Sequence, residues 1–248
     1  MKVDIQEAAE LIRNSKSMIA FTGAGVSVES GIPPFRGTDG LWSRYDPQCL
    51  DLDFFHSHPK ESWTAIKMIF YDFFGKAKFN QAHRVLADFE AKGLLKAVVT
   101  QNIDNLHQAA GSKQVFEFHG NSQKLICPQC KKMYLPQEVN LNVLPPLCVN
   151  DGFILKPDFV FFGEGIPEEA YRRSLLAAQQ ADVVLIIGTT GEVMPAAMIP
   201  TEAKRAGATI IEINTEPSNY THQITDIFLE GKASEVLLEL EELICRDK

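Results

Sequence analysis

The chain has no basic stripe. Its 24 Lys and Arg are outnumbered by 32 Asp and Glu, for a formal charge of −8 and a pI near 5.3. That balance argues against general binding to nucleic-acid phosphates or to an anionic membrane surface, and it favours basic peptides electrostatically. It also has no long apolar run near its start. "MKVDIQEAAELIRNSK" interleaves charged and apolar residues at helical spacing, so it reads neither as a signal peptide nor as a spanning segment, and the expectation is a cytoplasmic protein. Cysteine is sparse for a disulfide scaffold, with five in 248 residues. Three of them (Cys127, Cys130, Cys148) fall close together, while Cys49 and Cys245 stand alone and read as small residues without chemistry. Internal repeats and low-complexity tracts are absent.

An apolar fraction of 45% in 248 residues suits one large domain, or a main domain carrying an insertion. Ile5, Ala8, Ala9 and Ile12 form a helical stripe with Asp4 placed to cap it, and "SMIAFT" follows as a buried strand. "ESWTAIKMIFYDFFG" is helix-like. "NQAHRVLADFEAKG" has Asn80 as its cap and Gly93 as its stop, and the strand "LKAVVT" comes next. After the short strand "VFEFHG" the composition shifts to a Cys-, Pro- and Lys-rich stretch with weak periodicity, which reads as an inserted module. Alternation then resumes: "FVFFGE", a helix over 167–180, "DVVLIIG", a helix from about Pro195, "ATIIEIN", "DIFLEG" and a last helix "KASEVLLELEELICRD". Strands alternating with helices predict an α/β fold, a Rossmann-like parallel sheet with helices on both faces.

Ligands of such sheets bind beyond the carboxyl ends of the strands. The segments there are "TGAGVS", "TQNIDN", "HGN", "GTTGEV" and "INTEP", all small and polar. Taken singly, each is an ordinary turn or helix cap; five together point to a nucleotide site. In "GAGVS", Gly23 and Gly25 fit the first two places of G-x-G-x-x-G, but Val28 occupies the third, so this is not the usual dehydrogenase turn.

"GAGVSVESGIPPFRG", followed by "TQNIDNLHQAAGS", "HGN", a paired-cysteine insertion, "VFFGE", "EVMPAA" and "IN.E", resembles the sirtuin family of NAD-dependent protein deacylases over almost the whole chain. The resemblance implies that Gly23, Ala24, Gly25 and Ser27 hold the NAD phosphates and ribose. Phe35 and Arg36 would form a lid over the cofactor, within a helical stretch over 28–78. Gln101, Asn102, Ile103 and Asp104 would place the ribose and nicotinamide, and Gly188, Thr189, Thr190, Asn214, Thr215, Glu216 and Ala233 the adenosine half. Asn102 and Asp104, at alternate positions, can point the same way; taken alone, Asp104 reads equally as a cap for the helix at "NLHQ". His119 matches the general base, taking a proton from a ribose hydroxyl; the other five histidines, His83 and His107 among them, read as structural. The implied products are free lysine, nicotinamide and O-acyl-ADP-ribose. An acyl-lysine peptide would add as a strand between Val160, Phe162, Gly163 and Glu164 on one side and Val193 and Met194 on the other.

Sirtuins carry a four-cysteine zinc site; here Cys127, Cys130 and Cys148 are joined by Asp151 where the fourth cysteine belongs. A Cys3Asp structural zinc site and a weakened or absent metal are both open at this point. The implied division is a discontinuous NAD-binding domain over 1–121 and 158–248 with a zinc module over 122–157. Pro34 replaces the Asp usual in the lid, which stiffens it. Tyr71 is followed three residues on by Phe74 rather than by the Arg of succinyl-preferring members, so neutral acyl groups are expected. Protein ADP-ribosyl transfer and a non-catalytic NAD-responsive module are the alternative readings.

Overall fold

The computed structural model describes residues 2–35, 40–73 and 76–246. In the first half of the chain lie α1 (Lys2–Asn14), β1 (Met18–Thr22), α2 (Leu52–Ser57), α3 (Pro59–Ile66), α4 (Gln81–Ala91), β2 (Leu95–Thr100), α5 (Leu106–Ala110) and β3 (Val115–Glu117). Next come β4 (Gly120–Ile126), β5 (Met133–Tyr134) and β6 (Lys156–Phe159). The chain then runs through α6 (Glu168–Gln180), β7 (Val183–Ile187), α7 (Met198–Arg205), β8 (Thr209–Asn214), β9 (Ile227–Glu230) and α8 (Ala233–Arg246).

Six strands pair in the order β3-β2-β1-β7-β8-β9, all parallel. Every residue of "MIAFT" in β1 and "VVLII" in β7 is buried. Alternate side chains enter different cores: Met18, Ala20, Leu185 and Ile187 pack with α1, α4 and α8, whereas Ile19, Phe21, Val184 and Ile186 pack with α6 and α7. Burial on both faces is why these strands read as continuous apolar runs. Helix α4 begins where expected, with the Asn80 carboxamide accepting the amides of Ala82 and His83, and it stops at Gly93, which has φ +77.

A second, antiparallel sheet in the order β5-β4-β6 carries the cysteine-rich stretch. It does not have a core to itself. Trp63, Ile66 and Phe70 from the helical stretch pack in one cluster with Leu125, Cys127, Cys148, Leu155 and Phe159, and the Trp63 indole N–H donates to Leu155 O at 2.8 Å.

Several local expectations need correction. Asp4 lies inside the first turn of α1, not ahead of it. "VFEFHG" is not one strand: it pairs through β3, turns at Phe118–His119, and enters the other sheet at Gly120, where φ is +76. The strand expected at "FVFFGE" ends at Phe159, because the Glu164 amide returns to Phe161 O at 3.0 Å and Gly163 takes φ +85, so the chain turns. The helix after Pro195 begins at Met198. The helix over "ESWTAIKMIFYDFFG" becomes a π-helix at Lys67–Phe73. Phe74 lies outside the described residues.

Candidate active site

Because the six strands are parallel, their carboxyl ends share one edge, and chain order reverses between β1 and β7, which opens a crevice there. The loop after β1 presses against the loop after β7. A Cβ on Gly25 would stand 2.5 Å from the Gly188 Cα, and one on Gly188, at φ +60, would stand 2.5 Å from the Val26 nitrogen. The amides of Gly23 and Gly25 donate to Ile187 O at 3.0 Å and Gly188 O at 2.8 Å. These glycines therefore serve turn-against-turn packing, and their N–H groups are committed within the protein. The residues that follow form a 3-10 helix, Ala24–Ser30.

Ser27, fully buried, gathers the next group. Its hydroxyl donates to Asp104 Oδ2 at 2.7 Å and accepts from Asn102 Nδ2 at 3.2 Å; Asn102 Nδ2 also reaches Gly23 O at 3.1 Å. Asn102 and Asp104 do point the same way. Asp104 has a capping role as well, since Oδ1 accepts the Leu106 amide at 3.0 Å. Burial raises the Asp104 pKa, and the bonds from Leu106 and Ser27 offset part of that rise. Ile103, between them, turns into the core shared with the cysteine module.

His119 sits in the turn after β3 with Nδ1 3.0 Å from Gln101 O. A carbonyl only accepts, so Nδ1 carries the proton and the neutral ring keeps its Nε2 lone pair. Burial lowers the His119 pKa, and the bond to Gln101 acts against that. Gln101 Nε2 donates to Thr189 Oγ1 at 3.0 Å, and Asn214 Nδ2 to Thr189 O at the same distance, so the ends of β2, β7 and β8 are laced together. Thr190, Thr215 and Glu216 are exposed along this edge, and Ala233 is buried at the start of α8.

Phe35 lies over the crevice. With Ala24, Ser27, Ile32, Asn102, Ile103 and Asp104 it lines a half-open pocket of about 10 Å³, room for about one water. Phe35 packs on Trp42 (centroids 5.4 Å) and Trp42 on Phe162 (6.2 Å). Arg36 lies outside the described residues. Along the other side, the Val160 amide donates to His119 O at 2.9 Å, and Phe162 bonds Leu50 and Leu52 through both its N–H and its C=O. Phe162 and Met194 are 46% and 64% exposed, and the Gly163 main chain has no backbone partner among the described residues. Val193 accepts the Ala197 amide through its carbonyl at 2.8 Å.

In the loops beside the small sheet, the ligand atoms of Cys127, Cys130, Cys148 and Asp151 lie within 4.8 Å of one another. The Sγ atoms of Cys130 and Cys148 are 3.6 Å apart, and Cys127 Sγ is 3.4 Å from Asp151 Oδ2. Tetrahedral zinc with bonds of about 2.3 Å spaces its ligands by roughly 3.7 Å, so this set fits the ion, whereas 3.6 Å is too long for a disulfide. Tyr134 OH at 3.1 Å from Cys148 Sγ and the Cys130 amide at 3.4 Å from Cys127 Sγ supply donors suited to thiolates.

The Sir2 family model matches residues 23–195. The chain belongs to the Sir2 family. The NAD-dependent protein deacylase 2 of Pyrobaculum aerophilum is 43% identical over 96% of this chain and 95% of its own length. The NAD-dependent protein deacylase of Pyrococcus furiosus is 45% identical over 97% and 98%. A solved Sir2 with a p53 peptide and NAD+ superposes with a TM-score of 0.89 at 36% identity, covering 95% of this chain and 96% of that one.

Two residues of this Sir2 site were read from sequence as merely structural. His83 is buried and caps α4 through Asn80, yet its Nε2 lies 3.5 Å from Ser27 Oγ. His107 is its neighbour, ring centroids 4.8 Å apart, and touches Thr22 Oγ1 at 3.0 Å while its Nδ1 has no partner among the described residues. The sequence offered Asn80 as the helix cap and no signal for His83; the packing of α4 against the β1 loop brings His83 to Ser27. No helix among the described residues is long and apolar enough to cross a membrane.

Proposed function

We propose that this Sir2 chain is an NAD-dependent protein lysine deacylase, yielding free lysine, nicotinamide and O-acyl-ADP-ribose. The observation that carries the reading is the convergence of a histidine with a free Nε2 (His119) and a buried Ser27–Asn102–Asp104 cluster on the carboxyl edge of a parallel sheet. When bound, NAD supplies an electrophilic sugar carbon and nicotinamide as leaving group. The chain's own residues do the rest. Asn102 and Ser27 orient the ribose and Asp104 the carboxamide; each is fixed by its neighbours, so little ordering remains to be done on binding. His119 Nε2 takes the proton of a ribose hydroxyl, and the Gln101 carbonyl stabilises the imidazolium that forms, through the Nδ1–H bond. Phe35 closes the crevice to water. Gly23, Ala24 and Gly25 bring the chain close to the phosphates, with Arg36 pairing with them. Gly188, Thr189, Thr190, Asn214, Thr215, Glu216 and Ala233 flank the adenosine.

An acyl-lysine peptide would lie as an added strand between Val160, Phe162, Gly163 and Glu164 and the segment of Val193 and Met194; the unpartnered Gly163 main chain and exposed Met194 support that placement. Neutral acyl groups, acetyl first, are the inferred substrates. Cys127, Cys130, Cys148 and Asp151 would hold one zinc ion as a structural cross-link. The inferred division remains an NAD-binding domain over 1–121 and 158–248 with a zinc module over 122–157. A cytoplasmic location agrees with five free cysteines.

The test is mass spectrometry of an acetyl-lysine peptide incubated with and without NAD, with His119→Ala as control. NAD-dependent free lysine peptide and O-acetyl-ADP-ribose, both lost in the variant, are expected. Nicotinamide release with the peptide still acetylated and ADP-ribose on protein would replace the reading with transfer to protein.

A further inference from the structure

Lys156, the first residue of β6, is buried to 7% exposure in a protein whose other described lysines are not. An ammonium has three donors. Here it finds three oxygens: Pro157 O at 2.9 Å, Phe159 O at 2.6 Å and Glu164 Oε2 at 3.0 Å. The Phe161 ring covers it at 4.4 Å and the Phe159 ring at 5.9 Å. Burial lowers its pKa while Glu164 and Asp158 act the other way. Glu164 is the second half of the device, since Oε2 also accepts the Phe161 amide at 3.0 Å. The segment 157–164 is thus wound around one charge. Two of its carbonyls point inward to Lys156, and its turn is closed by the carboxylate that pairs with it.

The opposite side of the same segment faces the crevice. The Val160 N–H is bonded to His119 O, the Glu164 N–H to Phe161 O, and Phe162 to Leu50 and Leu52, which leaves Gly163 as the residue of this segment whose N–H and C=O both lack a backbone partner among the described residues. Where Gly163 points depends on the 161–164 turn, and that turn is held by Glu164, itself held by Lys156. A buried charge bonded only to main chain and one carboxylate is costly to keep unless its geometry is needed.

The geometry points to Lys156 as a positioning residue for peptide recognition, acting through Glu164 to set the edge at Gly163 on which the acyl-lysine peptide pairs. This rests on the deacylase reading for the identity of the peptide. Lys156 touches neither the crevice group of Ser27, Asn102 and Asp104 nor His119, so its loss is expected in peptide binding and not in NAD binding or the chemical step.

The experiment measures anisotropy of a fluorescent acetyl-lysine peptide, and KM for peptide and for NAD with kcat, on Lys156→Met, Lys156→Arg and Glu164→Gln. Lys156→Met is expected to raise the peptide Kd and KM on the order of tenfold, as when one partner of a buried charge pair is lost. KM for NAD and kcat should stay within about twofold, since the change touches ground-state peptide binding. Lys156→Arg keeps the donors and restores most of the affinity. Peptide and NAD constants rising together with a lower Tm, or a peptide Kd equal to the parent's, would overturn the proposal. If Lys156→Met does not fold, Glu164→Gln decides: a raised peptide Kd supports the device and an unchanged one refutes it. Parent protein that binds the peptide but never deacetylates it would sink the deacylase reading while leaving the anisotropy result to judge Lys156.

Discussion

Lowering the pH should weaken the fold through His83 and His107, and the size of the effect follows from their burial. Both rings are essentially inaccessible, 0% and 1% exposed, and packed against each other. Burial holds His83 at about 4 against an ordinary 6.5; burial and then the neighbouring His83 hold His107 well below 6.5. In the unfolded chain each imidazole takes a proton as the pH falls through 6.5, whereas folded His83 does not until about 4. Between those values the unfolded state binds more protons, so stability is full above 6.5 and declines as the pH drops toward 4. Integrated from pH 7 to pH 5, His83 alone removes about 2 kcal/mol, and His107 acts in the same direction. His83→Gln deletes the proton site while keeping an amide toward Ser27. Urea unfolding followed by circular dichroism at the two pH values should show the parent losing about 2 kcal/mol more than the variant. Equal losses in the two proteins would mean that His83 is charged in the folded state or finds water there, and the argument from burial would fail.

Three other outcomes are expected. The acid limb of kcat/KM should have its midpoint below 6.5, because burial lowers His119 and only the neutral ring can take a proton; a limb at or above 6.5 would remove His119 as the base. Asp151→Ala should lower zinc content, read by atomic absorption, and lower Tm, while Asp151→Cys should hold the ion at least as well because thiolate is the softer ligand; full zinc in Asp151→Ala would exclude the carboxylate as a ligand. Gly25→Ala puts a Cβ 2.5 Å from the Gly188 Cα, so the two turns must separate, and overpacking of this kind costs about 1–3 kcal/mol. Calorimetry should show weakened NAD binding in that variant, and a parent-like Tm would contradict the packing role.

Much of this was legible in the sequence, for identifiable reasons. β1 and β7 are short apolar runs, and β8 is one interrupted only by the buried Glu212; strands buried on both faces leave that signature. Asn80 and Gly93 marked α4 because caps act over three or four residues. What failed was what depends on distant partners. "FVFFGE" looks like a strand from its aromatic content, but its course is set by Lys156, Glu164, Leu50 and Leu52, and no local pattern reveals those bonds. Gly23 and Gly25 matched a glycine turn by sequence, but that their amides bond β7 and the loop after it, more than 160 residues along the chain, no local pattern reveals. His83 read only as a structural histidine, and its reach to Ser27 depends on how α4 meets the β1 loop.

The third core ties these pieces together. Cys127 and Cys148 carry candidate zinc ligands and are also core members beside Trp63, Phe70, Phe159 and Phe161, while Ile103, between Asn102 and Asp104, packs in the same cluster. The metal site is therefore joined to the crevice by contiguous packing, and close-packed interiors transmit displacements because they have no voids to absorb them. Loosening the cysteine module would release β4 and β6, and with β6 the Lys156 clasp that shapes the peptide edge. A metal that touches no substrate would act on peptide binding by this route, with the loss appearing at the peptide edge before it reaches the Ser27 cluster, which hangs on the strands of the main sheet.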